Sequence, residues 1–378
     1  MKKVWISALL AVLIWACSSD SSEDPIQKGE EEQPAPVSFE RKSMLINWAD
    51  NIIIPSYESF SSSLSELQTN FEVFQQEPTE SNLINLRAAW LSSYKSWQQV
   101  SMFEIGPAES VGLRLQMNIY PTDAEKIESF IAGGTYDLSL SSNRDAKGFP
   151  ALDYLINGLG ENDEAIVSKF SATDKDAILA YMGDVLLNMG DLTEQVLTEW
   201  KSGYKDTFVN NDGASATASV DRFVNDYIFY YEKFLRAGKM GFPLGVFTGN
   251  VLPENVEAYF KADVSNELFL AGLNAFQDFF NGKHFGKNSE GESLASYLDN
   301  LNELKDGEDL SVLINNQINT AREKVRALTP FRAEIENNNP PTAMFSAYDE
   351  VQRVVPLLKV DMVSAMSISI DFVDADGD

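Results

Sequence analysis

The sequence has one cysteine, Cys17, and one histidine, His284, in 378 residues. A lone cysteine excludes an intrachain disulfide. One imidazole excludes the common zinc-hydrolase sites, which need two or three nitrogen or sulfur ligands beside a carboxylate base. Neither His-Glu-x-x-His nor Gly-x-Ser-x-Gly occurs, so a serine nucleophile would have only His284 as a conventional base, and His284 sits in the turn-like Asn281-Gly282-Lys283-His284-Phe285-Gly286. Positive charge is scarce too: 29 Lys and Arg stand against 57 Asp and Glu, a net charge of −28. Such a surface repels phosphate backbones and argues against a nucleic-acid partner.

Long apolar runs are also missing. The longest, Val4 to Ala16, is broken at Ser7 and follows Lys2 and Lys3. At ~1.5 Å per residue it reaches only ~20 Å, short of a ~30 Å hydrocarbon core. It reads as a secretory signal over 1–16, and Ile14-Trp15-Ala16-Cys17 has the lipobox arrangement, with a small residue before the cysteine. The expectation is an outer-membrane lipoprotein, lipid-modified on Cys17 and facing the periplasm or the cell surface. An ordinary secretory signal with an incidental cysteine is the alternative. Residues 17–38, rich in Ser, Asp, Glu, Gln and Pro, have little to bury and read as a disordered acidic tether; the acidic cluster beside Cys17 is alternatively a sorting address.

Beyond the tether the apolar pattern is helical. Leu45, Trp48, Ala49, Ile52 and Ile53 continue past Pro55 as Phe60, Leu64, Leu67, Phe71 and Phe74, one long helix kinked at the proline. A second opens at Thr79 or Glu80, carries Leu83, Leu86, Trp90, Tyr94 and Trp97, and is ended by Gly106-Pro107. Shorter helices are expected around 123–132 and 149–157, and a long one over 174–200. Asn210-Asn211-Asp212-Gly213 marks a break. Stripes then resume at Val220 to Leu235, Leu268 to Phe280, Leu310 to Leu328 and Ala343 to Met366, disturbed at Pro356. Ile368, Ile370 and Phe372 alternate as in a strand. The fold class is therefore all-α, with two helical-bundle-like domains, 39–210 and 211–378, packed side by side.

One order of landmarks is specific. Leu86-Arg87-Ala88-Ala89-Trp90, Trp97 and Ile105-Gly106-Pro107-Ala108 precede Asn118-Ile119-Tyr120-Pro121-Thr122-Asp123, then Lys147-Gly148-Phe149-Pro150-Ala151-Leu152-Asp153-Tyr154-Leu155, Leu244-Gly245 and the closing Asp374-Ala375-Asp376-Gly377-Asp378. Together these resemble the imelysin-like family, bacterial envelope proteins grouped with an insulin-cleaving peptidase and with proteins of iron uptake. The resemblance implies an all-helical two-domain fold and, for many members, a Gly-x-His-x-x-Glu site whose His and Glu share one helix face and can hold a metal. Here the motif positions are Gly148, Pro150 and Asp153: the imidazole is missing and the carboxylate is one methylene shorter. A Ser-Glu pair of the family is Val100-Ser101 here. Both departures remove polar chemistry that a peptidase would use.

The remaining candidates are oxygen ligands and cations. Asp153 and Tyr154, with Glu104 and Glu109 near the end of the adjoining helix pattern, could hold a hard cation such as ferric iron; a surface carboxylate or a cap partner is the plainer alternative for Asp153. The Asp374-x-Asp376-Gly377-Asp378 end resembles the start of a calcium loop but stops short of its bidentate Glu, as a solvated tail would. Trp90, Tyr94 and Trp97, and Tyr227, Phe229, Tyr230 and Tyr231, read as core, with pocket lining the alternative. Arg236 and Lys239 close a helix and either complement its dipole or meet an anionic ligand, such as a ferric chelate or a haem carboxylate, between the domains. The expected function is a lipid-anchored, non-enzymatic binding protein linked to uptake of iron or an iron-containing ligand. The alternatives are a structural or interaction lipoprotein with a decayed site and an envelope protein partner, and an imelysin-type metallopeptidase.

Overall fold

Apolar residues at three- and four-residue spacing fold as the pattern requires in a computed structural model of the protein, which describes residues 39–173 and 175–372. The segments expected to be a signal sequence and a tether, Cys17, and the terminal Asp374–Asp378 motif lie outside the described residues. The first stripe is one continuous helical run, α1 (41–76), with π-helical bonding over Trp48–Ile53. Pro55 has no N–H to give to the carbonyl of Asn51. That carbonyl instead accepts the N–H of Phe285 at 2.8 Å, so the proline's missing donor ties a distant loop to the helix.

Helix α2 (Glu80–Val100) begins where expected, with Thr79 Oγ1 accepting the N–H of Asn82 at 3.3 Å. It ends six residues before Gly106, and two short helices, Pro107–Val111 and Leu113–Met117, follow. Asp123 caps Ala124–Gly133 by accepting the Lys126 N–H at 2.9 Å. The motif segment forms α3 (148–158), again π-helical in its second half. Helices α4 (Lys175–Glu199), α5 (219–241), α6 (Ser265–Phe280), α7 (Leu310–Arg326) and α8 (Thr342–Gln352) match the remaining stripes. No helix among the described residues is long and apolar enough to cross a membrane.

The described residues form one compact unit. Helices on either side of the 211–218 loop contribute to the same apolar core: Trp48 of α1, Phe103, Phe223 of α5 and Phe279 of α6 form a cluster with ring centroids 4.8–6.0 Å apart.

The strand expected at Ile368, Ile370 and Phe372 does not form. The segment has no partner strand; its backbone is held by the Asn225 side chain, which donates to the Ser369 carbonyl and accepts from the Asp371 N–H, both at 3.0 Å. Ile368 is buried and Phe372 packs on Phe229, which accounts for the alternation. The sheet among the described residues is a two-residue antiparallel pair, Leu304–Lys305 with Glu308–Asp309.

Candidate functional site

Local sterics fix the motif helix. Gly148 has φ +72°, and a Cβ there would lie 2.2 Å from the Met117 carbonyl oxygen, so only glycine fits. Pro150 falls in the first turn, where a helix needs no N–H from it, and is buried. Phe149 stacks on Tyr94 of α2 at 4.4 Å, and its carbonyl accepts the Trp90 indole N–H at 3.2 Å.

One turn on, Asp153 is buried with both oxygens engaged. Oδ2 accepts the Phe260 N–H at 2.8 Å; Oδ1 accepts the Lys261 N–H and the Asn157 side-chain amide, each at 3.0 Å. Asp153 therefore clamps the 256–262 segment, in which Ala258 (φ 57°) and Ala262 (φ 68°) hold left-handed conformations that cost an alanine strain. Burial pushes its carboxyl up to about 7, against the pull of these N–H donors. Tyr154 points elsewhere, its hydroxyl donating to Glu128 and its ring packing 5.0 Å from Phe260.

The clamped segment delivers Glu257 to the interior. Its Oε1 accepts from the Asn118 amide at 2.8 Å and the Gln98 amide at 3.2 Å, and its Oε2 pairs with the Lys239 ammonium. Both partners are almost wholly buried, and desolvation pulls Lys239 down while Glu257 opposes it. Tyr94 donates to Asn118 Oδ1 at 2.5 Å, closing the network.

Above this network lies a cavity of about 170 Å³. Helix α5 supplies one wall through Tyr230, Lys233, Phe234, Lys239 and, just beyond, Phe242; the other wall carries Trp97, Arg114 and Tyr120. The i to i+5 bonding over Tyr230–Gly241 widens each turn, so residues five apart, such as Phe234 and Lys239, stay near one face where an α-helix would rotate them away from each other. The Arg114 guanidinium lies 4.7 Å from the Phe234 centroid, donates to the Ser101 carbonyl at 2.7 Å and pairs with Asp226 at 2.9 Å. Ser101 donates to the Tyr230 hydroxyl at 3.0 Å. The Lys233 ammonium sits 5.9 Å from the Phe242 centroid, with no carboxylate in ion-pair reach among the described residues. With Arg114 paired to Asp226 and Lys239 to Glu257, Lys233 is, among the described residues, the lining cation left without a carboxylate, and it favours a small anion in the pocket. A smaller cleft of about 100 Å³, bordered by Tyr120, Pro150, Asp153 and Phe260, abuts it.

The residues expected from sequence thus separate. Lys239 lines the main cavity and Asp153 the smaller cleft. Arg236 is turned away, donating to Tyr348 at 3.0 Å and to Gln352. Glu104 lies beyond Arg114, accepting its backbone N–H at 2.8 Å, and burial raises its carboxyl to about 7 against the nearby guanidinium. Glu109 pairs with Arg222 on the surface at 2.7 Å. His284 is on a different pocket. No group of three or more His, Cys, Asp or Glu among the described residues is placed to hold a metal ion. Glu257, Arg114, Lys233 and Gln98 did not stand out from the sequence. Asn118 and Tyr120 did, but only as landmarks.

The family profile described as Imelysin (Peptidase_M75) matches residues 53–355. Iron-regulated protein A of Synechococcus elongatus is 27% identical over 157 residues, 41% of this chain. The match spans only 39% of that curated relative's length. Among solved structures, an iron-regulated protein A precursor from Parabacteroides distasonis superposes with a TM-score of 0.70 at 16% identity, over 87% of this chain and 97% of that one. An imelysin-like protein from Psychrobacter arcticum gives 0.68 at 15%, over 88% and 97%. At such identities the likeness is one of fold, and it bears out the all-α, imelysin-like architecture.

Proposed function

The chain belongs to the imelysin family, and from that premise we propose that it is a non-enzymatic binding protein of the cell envelope, held to the outer membrane by lipid on Cys17, that takes a small anionic ligand linked to iron uptake. The observation that carries the reading is the aromatic-walled cavity onto which Lys233 opens without a carboxylate partner among the described residues, in a chain of net charge −28. Its volume, about 170 Å³, is close to that of a cavity known to hold one benzene molecule. It suits a carboxylate or ring-bearing arm of a ferric chelate; a whole haem exceeds it. Iron enters by similarity to relatives named for regulation by iron. The family's peptidase chemistry has little support here, because Pro150 offers no ligand atom and the oxygens of Asp153 are taken by backbone N–H groups.

The test is calorimetric titration of the mature chain with ferric citrate, citrate alone, unchelated ferric iron and haem. Ferric citrate is expected to bind at micromolar levels, unchelated iron and haem more weakly, and Lys233→Glu to lower the chelate affinity at least tenfold. No binding by any of the four would overturn the reading.

The same engagement of Asp153 favours a second reading, an interaction lipoprotein whose ligand site has decayed. Affinity capture from membranes should then recover one defined envelope partner, and a consistently empty capture argues against it.

A further inference from the structure

A second and larger concavity, of about 570 Å³, borders the same end of α2. Trp97, Gln98 and Ser101 face the cavity described above, whereas Lys95, Ser96, Gln99 and Met102 border this one. At 3.6 residues per turn the two sets lie on opposite sides of the helix. The floor is apolar, built from Ile52, Met102, Phe103 and Phe279, and the rim carries Lys95, Lys283, His284 and Lys287.

Three features set this rim apart from the rest of an acidic surface. First, its lining carries three lysines and one carboxylate, Asp278, in a chain where acidic residues outnumber basic ones about two to one. Second, the lysines are weakly committed. Lys283 meets Asp278 at 3.3 Å with both side chains more than 40% exposed, and Lys95 pairs with Glu267 in a similarly exposed contact. Exposed pairs of this kind contribute little, so both ammonium groups are available to another anion. Lys287 is exposed on the loop. Third, the loop bearing three of the four cationic or imidazole groups is held in place before any ligand arrives. The Phe285 N–H is fixed on the Asn51 carbonyl at 2.8 Å, and the Asn47 amide donates to the Gly282 and Glu292 carbonyls at 3.1 Å each. His284 Nδ1 is set by Ser289 Oγ at 2.8 Å, while Nε2 is buried without a partner. A rim ordered in advance spares a ligand the cost of ordering it.

We propose that this concavity is a second binding site, for a small organic anion with an apolar body. The anionic group, carboxylate or phosphate, lies against Lys283 and Lys287, and the body rests on Met102, Phe103 and Phe279. A bare inorganic ion would leave the apolar floor wet, a neutral apolar molecule would leave the lysines unused, and a cation would meet net positive charge. The volume is in the range of small-molecule sites, roughly 300–1,000 Å³.

The single histidine makes the test direct, because an untagged chain has one set of imidazole ring resonances and it belongs to this rim. The full mature chain is titrated with phenyl phosphate, and with inorganic phosphate and phenol as separate arms. The expected result is a saturable movement of the His284 resonance with phenyl phosphate, at least tenfold tighter than with either comparator. Lys283→Glu with Lys287→Glu should weaken it at least tenfold. The matched charge change Lys169→Glu with Lys175→Glu, at the far end of the α1–α2 pair, should leave it unchanged. The substituted lysines are largely exposed, and a thermal melt confirms that each variant folds; Lys287→Glu alone serves if the pair does not. The proposal is overturned by no saturable movement at millimolar phenyl phosphate, by phosphate or phenol binding equally well, or by equal weakening in the distant charge variants.

Discussion

At the scale of single residues, Asp153 is a buried carboxylate committed to the protein's own backbone. Asp153 spends its lone pairs on Phe260, Lys261 and Asn157, and so holds the strained segment that brings Glu257 under the cavity. Because burial raises its folded-state value to about 7, above the ordinary aspartate value of about 3.9, the folded chain holds this proton where the unfolded chain has lost it. Its contribution to stability is therefore greatest at low pH and is lost as pH rises through that window. Asp153→Asn removes the titration. The variant should be less stable than the parent at pH 5, and that deficit should shrink by about 3 kcal/mol by pH 8, read from urea midpoints at the two pH values. A deficit independent of pH would show that Asp153 stays ionised throughout.

The same residues show what a sequence can and cannot disclose. Gly148 and Asp153 were found through the resemblance, and Lys239 through its place at a helix end. Glu257 was invisible, since Asn255-Val256-Glu257-Ala258 has no periodicity and its amide partner Asn118 is 139 residues away. Lys233 looked like any helix-surface lysine; its place over the ring of Phe242, beyond the end of the helix, shows only in the structure.

At the scale of elements, long stripes were legible because three or more turns repeat the apolar spacing, as in α1, α2, α4 and α7. Helices of one or two turns, such as Pro107–Val111 and Leu294–Leu301, were not, because so few residues define no period. The strand reading at Ile368 to Phe372 failed for a related reason: alternation reports which side chains are covered, whereas a strand also needs a neighbour for its backbone. Between elements, the loop after α6 depends on α1 through Asn47, whose amide supplies two hydrogen bonds to loop carbonyls and whose Oδ1 accepts from Asn51 at 3.0 Å. Asn47→Ala should cost about 2 kcal/mol and speed amide exchange over residues 282–292, while exchange in α4 follows the global loss alone. Uniform acceleration everywhere would mean that the loop opens only when the whole chain unfolds.

At the scale of the whole molecule, the all-α class followed from periodicity and the imelysin-like fold from the order of landmarks, whereas which helices face one another across the interior had to come from the structure. The proposed address rests on the N-terminal sequence. A chain of net charge −28 has no electrostatic attraction to an anionic membrane surface, and no described helix can span one. The proposed anchor is the lipid on Cys17, where diacylation and N-acylation would supply more than the single chain that gives only reversible attachment. Cys17→Ser should therefore move the protein from the outer-membrane fraction to the soluble envelope fraction, or leave it uncleaved, with loss of metabolic palmitate label, while its circular dichroism and calorimetric affinity for ferric citrate stay unchanged. Continued membrane retention of a processed, unlabelled Cys17→Ser chain would instead place the attachment on the folded unit, and the exposed Leu304 and Val360 side chains would be the first surfaces to test for it.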